Sequence, residues 1–372
     1  MVVAHVPMKK TLLLALAGVL QIAAQPQPMV QWSVPAAPTH KPQTEEDADF
    51  GRKNGRKLPL LETLQPTPDG ALAAYRARPG KIAGEFKAAS SDVLPGLVRA
   101  WVAAFQKFHP DFKLDLQPPY AGSLGAKELV QGKLDMVFVS RELKPDDIAD
   151  FQAKFGYPPL SVPISGGSYR HFGFLDAVGF FVHPSNPLNE LSFAQLDSIL
   201  SSTGHRGGGP VTRWGQLGLT GDWAERPIHV YAIQPWNGFE EFVRQRVLSV
   251  GPKRGEWKAD LHFDKLVFPV AKRVADDPLG LGFSGLAYLD APVKVLALNG
   301  VAPTYENVAL AQYPLSRLIY LNARKAPGQP LPPALEEFLR FVLSREGQQV
   351  VLDQKLYLPL RAFQAEAGRK LF

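Results

Sequence analysis

Short runs of apolar residues recur along this chain, and each is followed by a polar loop and a segment with helical periodicity. Residues 136–139 form one such run of four apolar residues, which is typical of a strand buried on both faces of a parallel sheet. Residues 97–108 place Leu97, Trp101 and Phe105 on one stripe, as an amphipathic helix does. The repeated order of strand, loop and helix predicts an α/β fold.

The same patterns predict the other elements of the chain. We expect strands over residues 112–116, 176–182, 228–233 and 280–289, and helices over residues 124–131, 193–200, 239–248 and 334–343, the last being the final helix. The glycine-rich residues 204–209 are predicted to be a surface loop, because a phosphate loop needs a strand before it and a lysine-bearing helix after it. A chain of 372 residues is long enough for two lobes.

The first residues have the order of a secretory signal. Lys9 and Lys10 precede the apolar residues 11–19, and small residues follow up to residue 25. The apolar run is too short to span a membrane. We therefore predict a signal peptide over residues 1–24, cleaved near residue 24, and export to the periplasm. Residues 25–80 are rich in proline and predict an N-terminal extension without a recognisable role.

Composition excludes several classes of protein. The chain has no cysteine, so disulfides, thiolate metal sites, a cysteine nucleophile and a lipid-modified cysteine are excluded. The net charge of +6 is spread along the chain, and we interpret the one basic run, residues 51–57, as a solvated linker. We therefore expect no binding of nucleic acid.

No motif in the sequence indicates catalysis. The histidines are scattered without the spacing of a metal site, and no serine lies in a GxSxG motif. We predict no catalytic residues, no metal and no cofactor, and therefore a protein that is not an enzyme.

Three polar loops follow predicted strands and precede predicted helices. The amides at the start of a helix are unpaired and bind anions readily, and α/β sheets bind ligands where their strands end. Taken singly, each serine in these loops is an ordinary helix cap, but the recurrence favours an anion site. Arg141 would be its only fixed cation. The candidate residues in these loops are Ser90, Ser91, Asp92, Gly122, Ser123, Ser140 and Arg141.

Asp92 has two interpretations at this point. Its carboxylate can accept a hydrogen bond from a protonated oxyanion, which would select phosphate over sulfate. Alternatively, it caps the helix that follows.

Residues 86–180 and 262–361 resemble the phosphate-binding proteins of bacterial phosphate ABC transporters. The stretches that carry the resemblance are SSDVLPGLVRAWVAAFQKFHP, GSLGAKELVQGKLDMVFVSREL, DAVGFFVHPSNPL, DPLGLGFSGLAYL, YPLSRLIYLNARKAPGQPLPP and LSREGQQVV. The resemblance implies the two-lobed fold of type II periplasmic binding proteins, with mixed sheets, helices on both faces and a ligand cleft between the lobes. We predict lobe I over residues 81–176 and 285–372 and lobe II over residues 177–284.

The resemblance also implies a function. The protein would be a monomer that captures phosphate or a related oxyanion and delivers it to an ABC permease in the inner membrane. The seven candidate residues of the three loops match the ligand contacts of the first lobe by position.

The second lobe departs from the family's pattern. Where the family has Ser-Gly-Thr at the start of a helix, often after an arginine, this chain has Asn237, Gly238 and Phe239 and no arginine before them. Asn237 with Glu240 predicts a capping box, which would compete with an anion. Gln234, Asn237 and Gly238 are the candidate substitutes.

Trp236 either stacks on a larger, flatter ligand or only packs the lobe.

This departure leaves two alternatives open. One is an exported, non-transport binding or scaffold protein of the same fold, with altered or lost phosphate binding. The other is a binder of a larger ligand that contains phosphate.

Overall fold

The structure, a computed structural model, describes residues 68–118, 122–170, 175–235 and 237–372. For residues 122–124 only the backbone is described. The predicted signal peptide, the basic run at residues 51–57, most of the proline-rich extension and Trp236 lie outside the described residues.

Strands and helices alternate from residue 84 onward, as the recurring apolar runs predict. The first elements are β1 (Gly84–Ser90), α1 (Pro95–Gln106), β2 (Phe112–Leu116), α2 (Gly122–Gln131), β3 (Met136–Val139), α3 (Pro145–Phe155), β4 (Leu160–Gly166), β5 (Val178–Val182), β6 (Glu190–Leu191) and α4 (Phe193–Leu200). The chain continues with β7 (His229–Ile233), α5 (Gly238–Val243), β8 (His262–Asp264), α6 (Pro269–Asp276), β9 (Gly280–Gly285), β10 (Lys294–Val295), β11 (Ala297–Leu298), α7 (Tyr305–Ala309), β12 (Leu318–Ala323), α8 (Pro333–Val342), α9 (Arg345–Asp353) and α10 (Ala362–Arg369).

The first sheet has the strand order β2-β1-β3-β12-β4. β1 pairs in parallel with β2 and β3, whereas β12 runs antiparallel to β3 and β4. All residues of β3 are buried, Met136 and Phe138 in the core on one face and Val137 and Val139 in the core on the other. This confirms the prediction that residues 136–139 form a strand covered on both faces.

The second sheet has the order β10-β5-β9-β7-β8 and its own apolar core. β5, β7 and β9 supply its centre, and the π-helical turn Arg244–Leu248 extends α5 along it. Two mixed sheets with separate cores confirm the predicted α/β, two-lobed fold class. The lobe boundaries at residues 176 and 284 remain a prediction. Because Tyr313 and Leu315 also pack into the second core, we propose that the second lobe extends to about residue 315.

Two segments of the chain connect the cores side by side. One leads from β4 to β5, and the other leads from Leu315 into β12. The amide of Gly167 donates to the carbonyl of Arg317 at 2.8 Å, and the amide of Val178 donates to the carbonyl of Leu315 at 3.2 Å. These hydrogen bonds hold the two connections together.

Some predicted elements end differently from the pattern. The strand predicted over residues 280–289 stops at Gly285, because the amide of Ala287 donates to the Asp176 carboxylate at 2.9 Å instead of to a neighbouring strand. The helix over residues 334–343 is not the last one, since α9 and α10 follow it. Ser344 starts α9 by accepting a hydrogen bond from the amide of Gly347 at 3.2 Å.

No helix within the four described ranges combines the length and apolar character needed to cross a bilayer.

Phe338 tests the packing of the first core. It is fully buried, stacks on Phe112 with ring centroids 5.0 Å apart and meets Phe105 edge-on at 5.4 Å. Phe338→Ala should lower the free energy of unfolding by about 3–5 kcal/mol. The substitution leaves a cavity that the rigid neighbouring rings cannot move to fill. Urea unfolding measures this loss. The matched control Phe363→Ala removes a ring that is 63% exposed and should change the value by less than about 0.5 kcal/mol. Equal losses in both variants would contradict the assigned core.

Candidate functional site

The ends of β1 and β3 bring four of the candidate residues together. β1 and β3 are parallel, so Ser90 at the end of β1 lies at the same sheet edge as Ser140 and Arg141, which follow β3. The amide of Ser140 donates to Ser91 Oγ at 3.2 Å, and the amide of Ser91 donates to the carbonyl of Phe138 at 2.8 Å. The two loops are therefore joined directly.

Ser90 presents a buried hydroxyl at this edge. Its side chain is fully buried, and its Oγ has no hydrogen-bond partner among the described residues. Buried polar groups in folded proteins nearly always have a partner, and an isolated one is costly. Ser90 Oγ is thus a candidate donor to a ligand.

Asp92 lies next to these serines and is exposed. Its Oδ1 accepts a hydrogen bond from the amide of Val93 at 3.1 Å, while the residue at the cap position of α1 is Leu94. The alternative interpretation, in which Asp92 caps this helix, is therefore wrong. A turn separates β1 from the helix and moves the cap two residues along the chain.

Gly122 and Ser123 are the first residues of α2. This helix lies very close to the sheet: a Cβ on Gly125 would come within 2.6 Å of Val137 Cγ2 and 3.1 Å of Ala89 Cβ. Ala89 and Val137 are near the ends of β1 and β3, so the first turn of α2 begins beside the edge that carries Ser90 and Ser140.

Arg141 is buried at this edge, with only 7% of its surface exposed. Burial lowers the pKa of its guanidinium, while the nearby carboxylates of Glu241 and Asp147 act in the opposite direction. Its Nη1 donates to the carbonyl of Glu142 at 2.8 Å, which fixes the side chain in place. Arg141 is a fixed cation at the edge.

A second arginine, Arg317, lies at the same edge, so the prediction that Arg141 would be its only fixed cation is wrong. β12 is antiparallel to β3, with Tyr320 opposite Val139. The start of β12 therefore lies where β3 ends, and Arg317 immediately precedes it. The charge of Arg141 is near enough to lower the pKa of Arg317. The sequence does not mark Arg317 as a candidate, because it neither follows a predicted strand nor opens a predicted helix.

Asp176 is a buried acid on the connection from β4 to β5. Its Oδ2 accepts a hydrogen bond from the amide of Ala287, and its Oδ1 has no partner among the described residues. Complete burial raises the pKa of Asp176 to about 8, against the opposing effects of the Ala287 amide and the charge of Arg317. Most of this carboxyl is therefore protonated at neutral pH.

The candidates of the second lobe lie at the start of α5. Gln234 and Asn237 are half-buried, and Gly238 is exposed with open space where a Cβ would be. Asn237 Oδ1 accepts a hydrogen bond from the amide of Phe239 at 2.9 Å.

The capping box predicted for Asn237 and Glu240 does not form. Glu240 is fully buried and accepts a hydrogen bond from Trp257 Nε1 at 2.6 Å. Its Oε1 also lies 3.0 Å from Arg244 Nε. These partners hold the carboxylate away from the first amides of the helix.

Aromatic rings connect the start of α5 with the first-sheet edge. The Arg317 guanidinium lies 5.2 Å from the ring centroid of Phe239 and 4.8 Å from that of Phe242. Phe239 also meets Tyr288 edge-on at 5.6 Å, and Tyr288 meets Phe268 at 5.4 Å. Phe268 is 49% exposed, so the row of rings leads from the buried guanidinium to the surface.

Ion pairs also join the loop after β3 to the second lobe. Glu142 pairs with Arg246, Lys144 Nζ lies 4.0 Å from Glu241 Oε2, and Asp146 pairs with Arg254 at 3.8 Å.

Three cations share the Glu241 carboxylate. Burial works to raise the pKa of Glu241, but the charges of Arg244, Lys144 and Arg254 hold it below its usual value. The negative charge in the first turn of α5 is therefore neutralised by neighbours.

Within the described ranges, no group of three or more histidine, aspartate or glutamate side chains is arranged to hold a metal ion.

The sequence matches known families over most of its length. The model of the PBP superfamily domain matches residues 77–346. The phosphate-binding protein PstS of Pseudomonas aeruginosa is 33% identical over 310 residues, which are 81% of this chain and 91% of that protein. The chain belongs to the phosphate-binding protein family. The resemblance found in the sequence is therefore confirmed.

Solved structures of the family share the fold. PstS of Borrelia burgdorferi has a TM-score of 0.52 at 16% identity and covers 76% of this chain and 100% of its own. An ABC-type phosphate transport receptor from Vibrio cholerae has a TM-score of 0.51 at 17% identity and covers 74% of this chain and 99% of its own.

The raised pKa of Asp176 predicts how stability depends on pH. The folded state binds this proton more tightly than the unfolded state, whose carboxyl has a pKa of about 3.9. The Asp176 contribution to stability should therefore fall as pH rises from about 4 to about 8, and level off above that. Asp176→Asn removes the titration and should flatten this part of the profile, with a higher Tm than the wild type at pH 9.

Thermal unfolding between pH 5 and 9 measures the effect. The control Asp222→Asn changes an exposed carboxylate and should retain the wild-type profile. A Tm of Asp176→Asn below that of the wild type at pH 9 would show that the charged form is stabilised in the folded protein.

Proposed function

We propose that this protein captures phosphate, or a related oxyanion, at the first-sheet edge and delivers it to an ABC permease of the inner membrane. The observation that carries the proposal is the set of hydroxyls and one buried guanidinium where β1 and β3 end, built from Ser90, Ser91, Ser140 and Arg141. The relationship to the phosphate-binding protein of Pseudomonas aeruginosa supports it.

The chemistry of the edge suits a tetrahedral oxyanion. Serine hydroxyls and backbone amides donate hydrogen bonds, and a guanidinium supplies charge and in-plane donors. Asp92 accepts a hydrogen bond from the protonated oxygen of the ligand, which favours HPO4 over sulfate. The contacts that we propose from the sequence are Ser90, Ser91, Asp92, Gly122, Ser123, Ser140, Arg141, Gln234, Asn237 and Gly238.

The class of the protein follows from its family, whose members bind solutes and are not enzymes. The order of residues 1–24 supports export, and we propose the periplasm as the place of action. The protein acts as a monomer, without a cofactor and without nucleic acid.

A second candidate is an organic phosphate, favoured by the aromatic rings of Phe239, Tyr288 and Phe268. An aromatic row beside an anion site covers the apolar part of a ligand better than the small, fully polar phosphate ion. In this case the second lobe selects a phosphate ester.

Calorimetric titration of the purified protein with phosphate, sulfate and phenyl phosphate tests these functions. Saturable binding of phosphate without turnover, and weaker binding of sulfate, supports the first. Tighter binding of phenyl phosphate than of phosphate favours the second candidate. Failure of all the anions to bind would contradict both and leave a binding or scaffold role outside transport.

Arg141 provides the first variant. Arg141→Ala should raise the Kd for phosphate about 10- to 150-fold, because it removes a charge-assisted hydrogen bond in a site shielded from water. The control Arg213→Ala removes an exposed arginine that pairs with Glu225 on the surface of the second lobe and should leave Kd unchanged. An unaltered Kd in Arg141→Ala would refute its place in the site.

A further inference from the structure

Arg317 is buried between the two cores, and the described residues give it none of the charged partners that a buried guanidinium needs. It is 5% exposed, and its Nε has no hydrogen-bond partner in the described part of the chain. Asp176 and Glu142 affect the pKa of Arg317 through their charges and not through a hydrogen bond, although a buried arginine is normally paired. Among the carboxyls, Asp176 has the largest electrostatic effect on the pKa of Arg317, and it is itself largely protonated at neutral pH.

Two aromatic rings pack against the Arg317 guanidinium, and they offer its N–H groups no oxygen acceptor. The ring centroids of Phe239 and Phe242 lie 5.2 and 4.8 Å from the guanidinium carbon, in the range of cation–π contacts. Such contacts leave the in-plane N–H donors of the guanidinium available. A guanidinium packed against rings therefore keeps N–H groups that can bind the oxygen atoms of a ligand.

Buried hydroxyls without described partners also occur on the connections and at the first-sheet edge. Ser90 Oγ, Ser168 Oγ and Ser316 Oγ are buried and have no hydrogen-bond partner among the described residues. Ser316 adjoins Arg317 in the chain, and Ser168 follows Gly167, whose amide binds the Arg317 carbonyl. The two connections and the end of β1 thus each carry a buried hydroxyl without a described partner.

The two arginines at the edge repel each other, since the charge of Arg141 lowers the pKa of Arg317. Burial is the larger cause and takes this pKa to about 10, so Arg317 stays charged at neutral pH. Two buried like charges are stabilised by an anion that binds both. A dianion such as HPO4 balances the pair.

We propose that Arg317 is a ligand-binding residue of this protein, whose in-plane N–H donors bind the oxyanion together with Arg141. The family often has an arginine before the helix that corresponds to α5, and this chain has none there. Arg317 supplies that positive charge from the connection between the lobes. Phe239 is part of this arrangement, because its ring fixes the guanidinium where a threonine would offer the ligand one hydroxyl. The inference rests on the proposed function, oxyanion binding, and assigns that site its second cation.

Arg317→Met separates a ligand-binding role from a structural one. Methionine fills similar space without charge, so it should raise the Kd for phosphate about 10- to 150-fold. It should leave the Tm of the protein without anion unchanged or higher, because an unpartnered buried charge destabilises the fold. The rise in Tm that phosphate produces in the wild type should disappear.

Arg226→Met is the matched control. Arg226 also lies over an aromatic ring, 5.1 Å from the centroid of Trp223, but it is exposed on the second lobe. Its removal should leave the Kd for phosphate at the wild-type value. Arg317→Lys keeps the charge but presents a single ammonium group, so we expect a native Tm and phosphate binding weaker by about tenfold.

The outcomes separate the two proposals. Wild-type phosphate affinity in Arg317→Met would overturn the role of Arg317 and leave the proposed function standing. Loss of folding in both Arg317 variants would also overturn it, since the arginine would then be a structural support. If the wild type binds no phosphate, sulfate or phenyl phosphate, the proposed function fails and the inference fails with it.

Discussion

The position of β12 in the middle of the first sheet determines how the candidate site is assembled. β12 pairs with β3 on one side and β4 on the other, so the sheet is complete only when the chain has returned from the second core. Because it enters antiparallel to β3, its first residues meet the loop after β3. The edge that binds ligands in α/β sheets is thus formed from both halves of the chain and from the connection between them.

Charge is distributed around this edge in an uneven way. The acids in the first turn of α5 would oppose an anion if they were free, but Glu240 and Glu241 each contact neighbouring cations. Arg141 and Arg317 form no such ion pair with a described residue, and burial favours the neutral form of Asp176. The same acids whose positions in the sequence argue against an anion therefore leave the edge positive in the folded protein.

Local pattern was sufficient to predict much of the fold. Residues 112–116, 136–139 and 193–200 form the predicted strands and helix with unchanged bounds, because their apolar spacing reflects burial within a single element. The grouping of Ser90 with Ser140 was also predictable, since parallel strands end at one edge.

Partners distant in the sequence account for the rest. Glu240 forms no capping box because Trp257 binds its carboxylate, and spacing along the helix does not reveal that contact. Arg317 escapes prediction for the same reason, since its importance depends on which strand β12 joins. The stretch that contains it contributes to the family resemblance, but neither a strand before it nor a helix after it marks it as a candidate.

The late arrival of β12 also affects how the protein folds. Val139 and Tyr320 are neighbours in the sheet, although 180 intervening residues separate them in the chain. Until the last part of the chain is available, β3 and β4 keep exposed edges, which are the usual sites of pairing with another molecule. Contacts over such separations also form slowly. A chain cut short before residue 318 would therefore be prone to aggregation. During folding, the edges of β3 and β4 stay accessible to chaperones until β12 joins the sheet.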